Sequence, residues 1–176
     1  MHRSRSCLYF RNERQGWSFT VHYKITEASA TDAQAIAGMA VALTEEISRR
    51  MGVQHFDLDT DGTAALCART LADGSYTALL ATVDERPVGF VGLSQGCALY
   101  AGGAIGTMQE FYVAPDFRSG GIGAALIEAV KAHARARGWR RIEVCTPPLP
   151  EFDASLRFYL REGFEISGGR KLKAIA

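Results

Sequence analysis

The 176-residue sequence contains no apolar run near the roughly 18–20 residues that a membrane-spanning helix needs, and no signal-type apolar stretch near its start. It has no Cys-x-x-Cys pair, because Cys7, Cys67, Cys97 and Cys145 are widely scattered. His2, His22, His55 and His133 show no His-Glu-x-x-His or similar ligand spacing, so no metal is expected. An excess of one charge is also missing. Lys and Arg number 20 against 19 Asp and Glu, a formal net charge of +1, which points to neither a nucleic-acid partner nor an anionic membrane surface. No glycine is followed by Lys-Ser or Lys-Thr, which removes the P-loop. A soluble, cytoplasmic protein is the expectation.

What is present suits a single enzyme-sized unit. With 47% hydrophobic residues the chain has enough apolar material for one substantial core. The first fourteen residues are locally basic, with Arg3, Arg5, Arg11 and Arg14 against Glu13 alone. Residues 1–22 are therefore expected to be a poorly ordered N-terminal extension, and residues 23–176 the domain proper.

Strand and helix signals alternate along that domain. Tyr23 to Glu27 suits a short strand. Thr31 with Gln34 resembles a capping box ahead of Ile36, Met39, Ala40, Leu43 and Ile47, which recur at helical spacing to about Arg50. A second helix is expected over Gly62–Leu71, ending near Asp73-Gly74. Thr77–Val83 and Val88–Leu93 form a hairpin pattern around Asp84-Glu85-Arg86-Pro87. A strand over Gly106–Val113 then leads to a helix from Gly121 to about Arg137, whose apolar face carries Ile122, Leu126, Ala129, Val130 and His133. Arg141–Cys145 suits a further strand, with Cys145 as a small core residue. The stretch Thr146-Pro147-Pro148-Leu149-Pro150 ends it. Asp153 can cap a helix from Ala154 to Glu162, and Phe164–Ser167 can pair with Arg170–Lys173 through Gly168-Gly169.

The most informative segment is Val113-Ala114-Pro115-Asp116-Phe117-Arg118-Ser119-Gly120-Gly121-Ile122-Gly123, a glycine-rich turn between strand and helix. Residues without a Cβ let backbone N–H groups approach an anion at a helix N-terminus, where the helix dipole also favours negative charge. A Rossmann fingerprint is disfavoured because Leu126 stands where a third Gly or Ala is required, although Glu143 follows at about 20 residues.

Val-x-Pro-x-x-Arg-x-x-Gly-x-Gly resembles the acetyl-CoA signature of the GNAT N-acetyltransferase family, whose core is Arg/Gln-x-x-Gly-x-Gly/Ala. Here the core is Arg118, Gly121 and Gly123. Downstream, Phe158-Tyr159-Leu160-Arg161-Glu162-Gly163-Phe164 is similar to the family's Phe-Tyr-x-x-x-Gly-Phe segment. The resemblance spans about residues 23–174. It implies the GNAT acyl-CoA N-acyltransferase fold, an α/β architecture in which a mixed, mostly antiparallel central sheet is flanked by helices.

The resemblance also implies roles. Arg118 with the backbone of Ser119, Gly120, Gly121, Ile122 and Gly123 would hold the acetyl-CoA pyrophosphate. The strand before the turn would splay from its neighbour, so that Phe111 and Val113 offer backbone groups to the pantetheine arm and thioester, with the Val113 N–H on the carbonyl oxygen. Tyr159 would protonate the departing thiolate; on spacing alone it only continues an amphipathic face with Leu156 and Leu160. Phe158 would pack that helix or line the pantetheine channel. An acceptor ammonium, with a pKa near 10.4, needs a base, and Glu110 is the nearest candidate; equally it could be a solvated strand residue. Glu45 and Glu46, near the end of the first helix, could add acceptor-binding charge, but ordinary exposed helix positions are the expectation. The chain departs from the family at Phe152, where many relatives carry an Asn that contacts the cofactor arm.

The expected activity is acetyl transfer from acetyl-CoA to a primary amine by direct attack, without metal, and with a small-molecule acceptor ahead of a protein. The alternative is a non-catalytic acyl-CoA-binding or sensing module, which would keep the glycine turn without needing Tyr159. A homodimer through the edge of the C-terminal hairpin is a further expectation.

Overall fold

A computed structural model describes residues 6–12, 17–54 and 56–168, with side chains from residue 22 onward. Among the described residues, six strands and four helices follow one another as β1 (Ser6–Asn12), β2 (Trp17–Glu27), α1 (Ala33–Met51), α2 (Thr60–Asp73), β3 (Thr77–Val83), β4 (Arg86–Ala98), β5 (Gly103–Val113), α3 (Ile122–Ala136), β6 (Arg141–Val144) and α4 (Asp153–Arg161). The strands lie in one sheet in chain order. Every neighbouring pair is antiparallel except β5 and β6, which run parallel because α3 crosses between them. This is the mixed, mostly antiparallel sheet that the sequence implied.

Period-two alternation divides the core between the two faces of the sheet. Leu79, Ala81 and Val83 of β3 pack with Ile122, Leu126, Ile127 and Val130 of α3 on one face. Ala78 and Leu80, together with Phe90 and Tyr112, pack with Ile36 and Ala40 of α1 and Cys67 of α2 on the other. The amphipathic stripes read from the sequence are thus the buried stripes. Leu126, Ile127 and Val130 are fully buried.

Local chemistry sets the boundaries. Gly52 and Gly74 end α1 and α2 in the left-handed region, at φ 66° and 75°. The Asp59 carboxylate caps α2 by accepting from the Gly62 N–H at 2.6 Å. The capping box before α1 involves Ser29 and Asp32, not Thr31 and Gln34, and starts a short 3-10 turn that runs into the helix. Asp84 and Glu85 both have positive φ, 47° and 59°, which joins β3 to β4 in the geometry of a type I′ turn.

Three expectations need correction. Strand pairing from Ser6↔Tyr23 to Asn12↔Trp17 places residues 6–12 and 17–22 in the sheet, where an extension was expected. Trp17, Phe19, Val21 and Tyr23 alternate with polar residues, a strand signal that the neighbouring arginines obscured. The strand β6 stops at Val144, and Cys145 is exposed beyond its end and not packed in the core. Residues 164–168 form no strand, and the expected partner 170–173, with the dimer edge placed on it, lies outside the described residues.

Candidate active site

The site begins where two parallel strands part. β6 pairs with β5 from Ile105↔Arg141 to Met108↔Val144 and then ends, whereas β5 continues to Val113. On its other edge β5 stays paired with β4, but Gly92↔Glu110 and Leu93↔Met108 leave Gln109 as a bulge residue that twists the strand at the point of separation. The Ala114 N–H donates to the Val88 carbonyl at 2.8 Å. By the alternation of an antiparallel ladder, Phe111 and Val113 therefore turn their N–H groups away from β4 and into the gap.

A cavity of about 710 Å³ fills this opening and wraps the free edge of β5. On one face Phe111 and Val113 meet Phe158 and Tyr159 of α4. On the other, Glu110 and Tyr112 meet Leu43, Glu46, Ile47 and Arg50 of α1. The Phe111 ring stacks on Phe158 at 5.5 Å between centroids, and Tyr159 contacts Phe111, Phe158 and Phe164 at 6.0, 5.4 and 5.4 Å. Tyr159 is 7% exposed, and burial pushes its phenol pKa up, so the hydroxyl holds its proton at neutral pH.

The glycine turn forms the rim. Pro115–Phe117 make a 3-10 turn, Ser119 takes φ 61°, and Gly121 caps α3 at φ 87°. Ser119, Gly121 and Gly123 line the cavity, whereas Gly120 and Ile122 are buried and do not. Ile122 opens the apolar stripe of α3, so its side chain belongs to the core. A Cβ on Gly123 would lie 3.3 Å from the Phe158 ring, so α3 and α4 approach closely at this position.

Arg118 lines the cavity and is held by partners within the protein. Its Nε donates to the Val113 carbonyl at 2.7 Å, and Nη1 and Nη2 donate to the two carboxylate oxygens of Glu46 at 3.0 and 2.7 Å. The guanidinium also lies 5.7 Å from the Tyr112 ring centroid. The side chain thus ties the glycine turn to the end of β5 and to α1. Glu46 is correspondingly not an exposed helix residue. Its side chain is 14% exposed, it also pairs with Arg50 at 2.8 Å, and its hydrogen bonds from Arg118 hold its carboxyl below the usual range despite burial.

Glu110 lies in the cavity wall, partly buried, and its Oε2 accepts from the Tyr76 hydroxyl at 2.6 Å. Phe152, which replaces the expected Asn, is 5% exposed and stacks under the Arg50 guanidinium at 5.4 Å. Glu46, Arg50 and Tyr76 were not assigned to the site from sequence. Leu43, Glu46, Ile47 and Arg50 do share one helical face, which was a usable signal; Tyr76 had none.

A sheet opened beside a glycine-capped helix, with a buried phenol in the opening, is the arrangement that the resemblance to the N-acetyltransferases implied. Residues 74–166 match the family model for the acetyltransferase (GNAT) domain. The chain is 30% identical to the aminoalkylphosphonate N-acetyltransferase of Salmonella typhimurium over 152 residues, 86% of this chain and 91% of that protein. It is 36% identical to an uncharacterized N-acetyltransferase of Methanocaldococcus jannaschii over 84 residues, 47% of this chain and 36% of that protein. The fold matches that of aminoglycoside N-acetyltransferase AAC(6')-Iy in complex with CoA, with a TM-score of 0.69, 21% identity, and coverage of 89% of this chain and 95% of that one. The chain belongs to the GNAT acetyltransferase family, and its activity is acetyl-CoA-dependent N-acetyl transfer.

Proposed function

We propose that the protein transfers the acetyl group of acetyl-CoA directly to the primary amine of a small molecule, using Val113, Tyr159 and Glu110 at the β5–β6 opening. The observation that carries this is the convergence of three unlike groups on one cavity: a backbone N–H turned out of the sheet, a phenol kept protonated by burial, and a carboxylate.

The Val113 N–H suits the thioester oxygen, where charge develops during attack. An acceptor ammonium gives one proton to Glu110, and its nitrogen then bonds to the acetyl carbon while the C–S bond breaks. Tyr159 supplies the proton that ends on the CoA sulfur and regains one from the acylated nitrogen. Glu110 returns its proton to solvent. The amides at the α3 N-terminus around Gly121 and Gly123 would hold the pyrophosphate, without the Arg118 side chain. Phe111 and Phe158 would flank the pantetheine arm.

An aminoalkylphosphonate or an aminoglycoside is the first acceptor to try, since relatives are named for those substrates. The cavity admits both signs of charge, with Arg50 and Arg161 as well as Glu46 and Glu110 in its wall. We place the reaction in the cytoplasm; no helix among the described residues is long and apolar enough to cross a membrane.

The test is release of CoA thiol from acetyl-CoA across a panel of amines containing 2-aminoethylphosphonate and neamine. Amine-dependent release that is lost in Gly121→Glu, with the fold intact by circular dichroism, supports the proposal. Tight acetyl-CoA binding with no release for any amine would replace it with a sensing module.

A further inference from the structure

We propose that Tyr76 is a positioning residue that holds the Glu110 carboxylate in the cavity wall as proton acceptor for the incoming amine, an inference that rests on the transferase reading above. Tyr76 lies in the short connection from α2 to β3, and its N–H is anchored to the Thr70 carbonyl at 3.1 Å. Its ring packs against the cluster containing Cys67, Leu80, Phe90 and Tyr112. From there the hydroxyl reaches Glu110 Oε2 at 2.6 Å, within the short range of a charge-assisted O–H···O⁻ bond.

Gly92 makes this meeting possible. It stands opposite Glu110 on β4, and a Cβ built there would collide with both the Tyr76 hydroxyl and the Glu110 carboxylate. A glycine in the interior of a central strand weakens that strand, so its use at this point marks a place where other groups must approach closely. The contact joins residues 34 apart in the chain and is part-buried; Glu110 lines the cavity, and Tyr76 reaches it from the α2–β3 connection behind the wall.

The surrounding charges fit a base at Glu110. Burial and the neighbouring Glu110 push the Tyr76 phenol pKa up, so Tyr76 donates and the carboxylate accepts. Cys67 of α2 is the other titratable neighbour, and its thiol is likewise pushed up by burial and by Glu110. From α1 the cavity receives Arg50 and Glu46, the latter paired with both Arg50 and Arg118, and from the end of α4 it receives Arg161 and the capping Glu162. A donor fixed on one carboxylate oxygen favours the anion and orients the other oxygen.

The measurement is the pH profile of kcat/KM for the fastest amine of the panel, in the unmodified protein, Tyr76→Phe, Gly92→Ala and Glu110→Gln. Tyr76→Phe should move the acidic limb to higher pH by about one unit, with KM for acetyl-CoA changed less than about twofold. Gly92→Ala keeps the phenol but displaces it and should shift the same limb in the same direction. An acidic limb unmoved in both variants, while Glu110→Gln abolishes it, overturns the role of Tyr76 and leaves Glu110 as the base. An acidic limb and rate retained in Glu110→Gln overturn both. If no amine supports turnover of the unmodified protein, the transferase reading itself falls.

Discussion

The clamp between Glu46 and Arg118 permits a sharp energetic prediction. Arg118 makes three charge-assisted hydrogen bonds, two to Glu46 and one to the Val113 carbonyl, and joins α1, the glycine turn and β5 across 72 residues of sequence. A fully buried pair loses about 3–5 kcal/mol when one partner is removed, and an exposed pair loses about 0–1 kcal/mol. Glu46 is 14% exposed and Arg118 35%, which places this pair between the limits. Glu46→Gln should therefore cost about 2 kcal/mol, and at roughly 2–4 °C per kcal/mol for a chain of this size should lower Tm by about 4–8 °C. A double-mutant cycle of Glu46→Gln and Arg118→Gln, read by urea denaturation, should return a coupling energy of about 1–2 kcal/mol. The deficit should also depend on pH. The folded-state pKa of Glu46 lies below its unfolded value of 4.5, so the pair's contribution is complete above about pH 4.5 and fades as pH falls through the lower folded value. Glu46→Gln and the unmodified protein should converge in acid. A coupling energy below about 0.5 kcal/mol, or a Tm difference that does not shrink in acid, would refute the reasoning.

Tyr159→Phe should lower kcat by roughly 100-fold or more with little change in KM for acetyl-CoA, because the ring contacts with Phe111, Phe158 and Phe164 survive and only the proton donor is lost. Steady-state kinetics check this, and a fall below threefold would exclude Tyr159 as the acid. Leu126→Ala removes a fully buried side chain between α3 and the sheet and should cost about 2–5 kcal/mol in urea denaturation. Glu85→Gly should stabilise the protein by about 0.5–1 kcal/mol, since residue 85 sits at φ 59° in the type I′ turn. Thermal melting should show a rise of about 1–4 °C, and a fall would mean that the Glu85 side chain contributes more than the backbone strain.

Elements whose cause lies within a dozen residues were legible from the chain itself. The helical stripes through Ile36, Ala40 and Leu43 and through Ile122, Leu126 and Val130 were read as they fold. So was the hairpin around Asp84-Glu85, because alternation and turn chemistry are local. Ser119, Gly121 and Gly123 of the glycine turn line the same cavity as Phe158 and Tyr159. Errors fell where a local signal competed with another of similar strength. Arginines near the start obscured the alternation from Trp17 to Tyr23, and Cys145 followed an apolar run that pairs only as far as Val144.

Sequence by itself thus determined the sheet-and-helix order, the two-sided core and the family, since each depends on periodicity, capping or a short motif. Only the tertiary structure decided what the charged and hydroxyl groups do. Nothing local in the chain pairs Arg118 with Glu46 of α1, and Glu110 could be read as a solvated residue until Tyr76 reached it past Gly92. The physical reason is range. Hydrophobic periodicity repeats within one element, whereas an ion pair or hydrogen bond is specified by two side chains that only the packed sheet and helices bring within 3 Å.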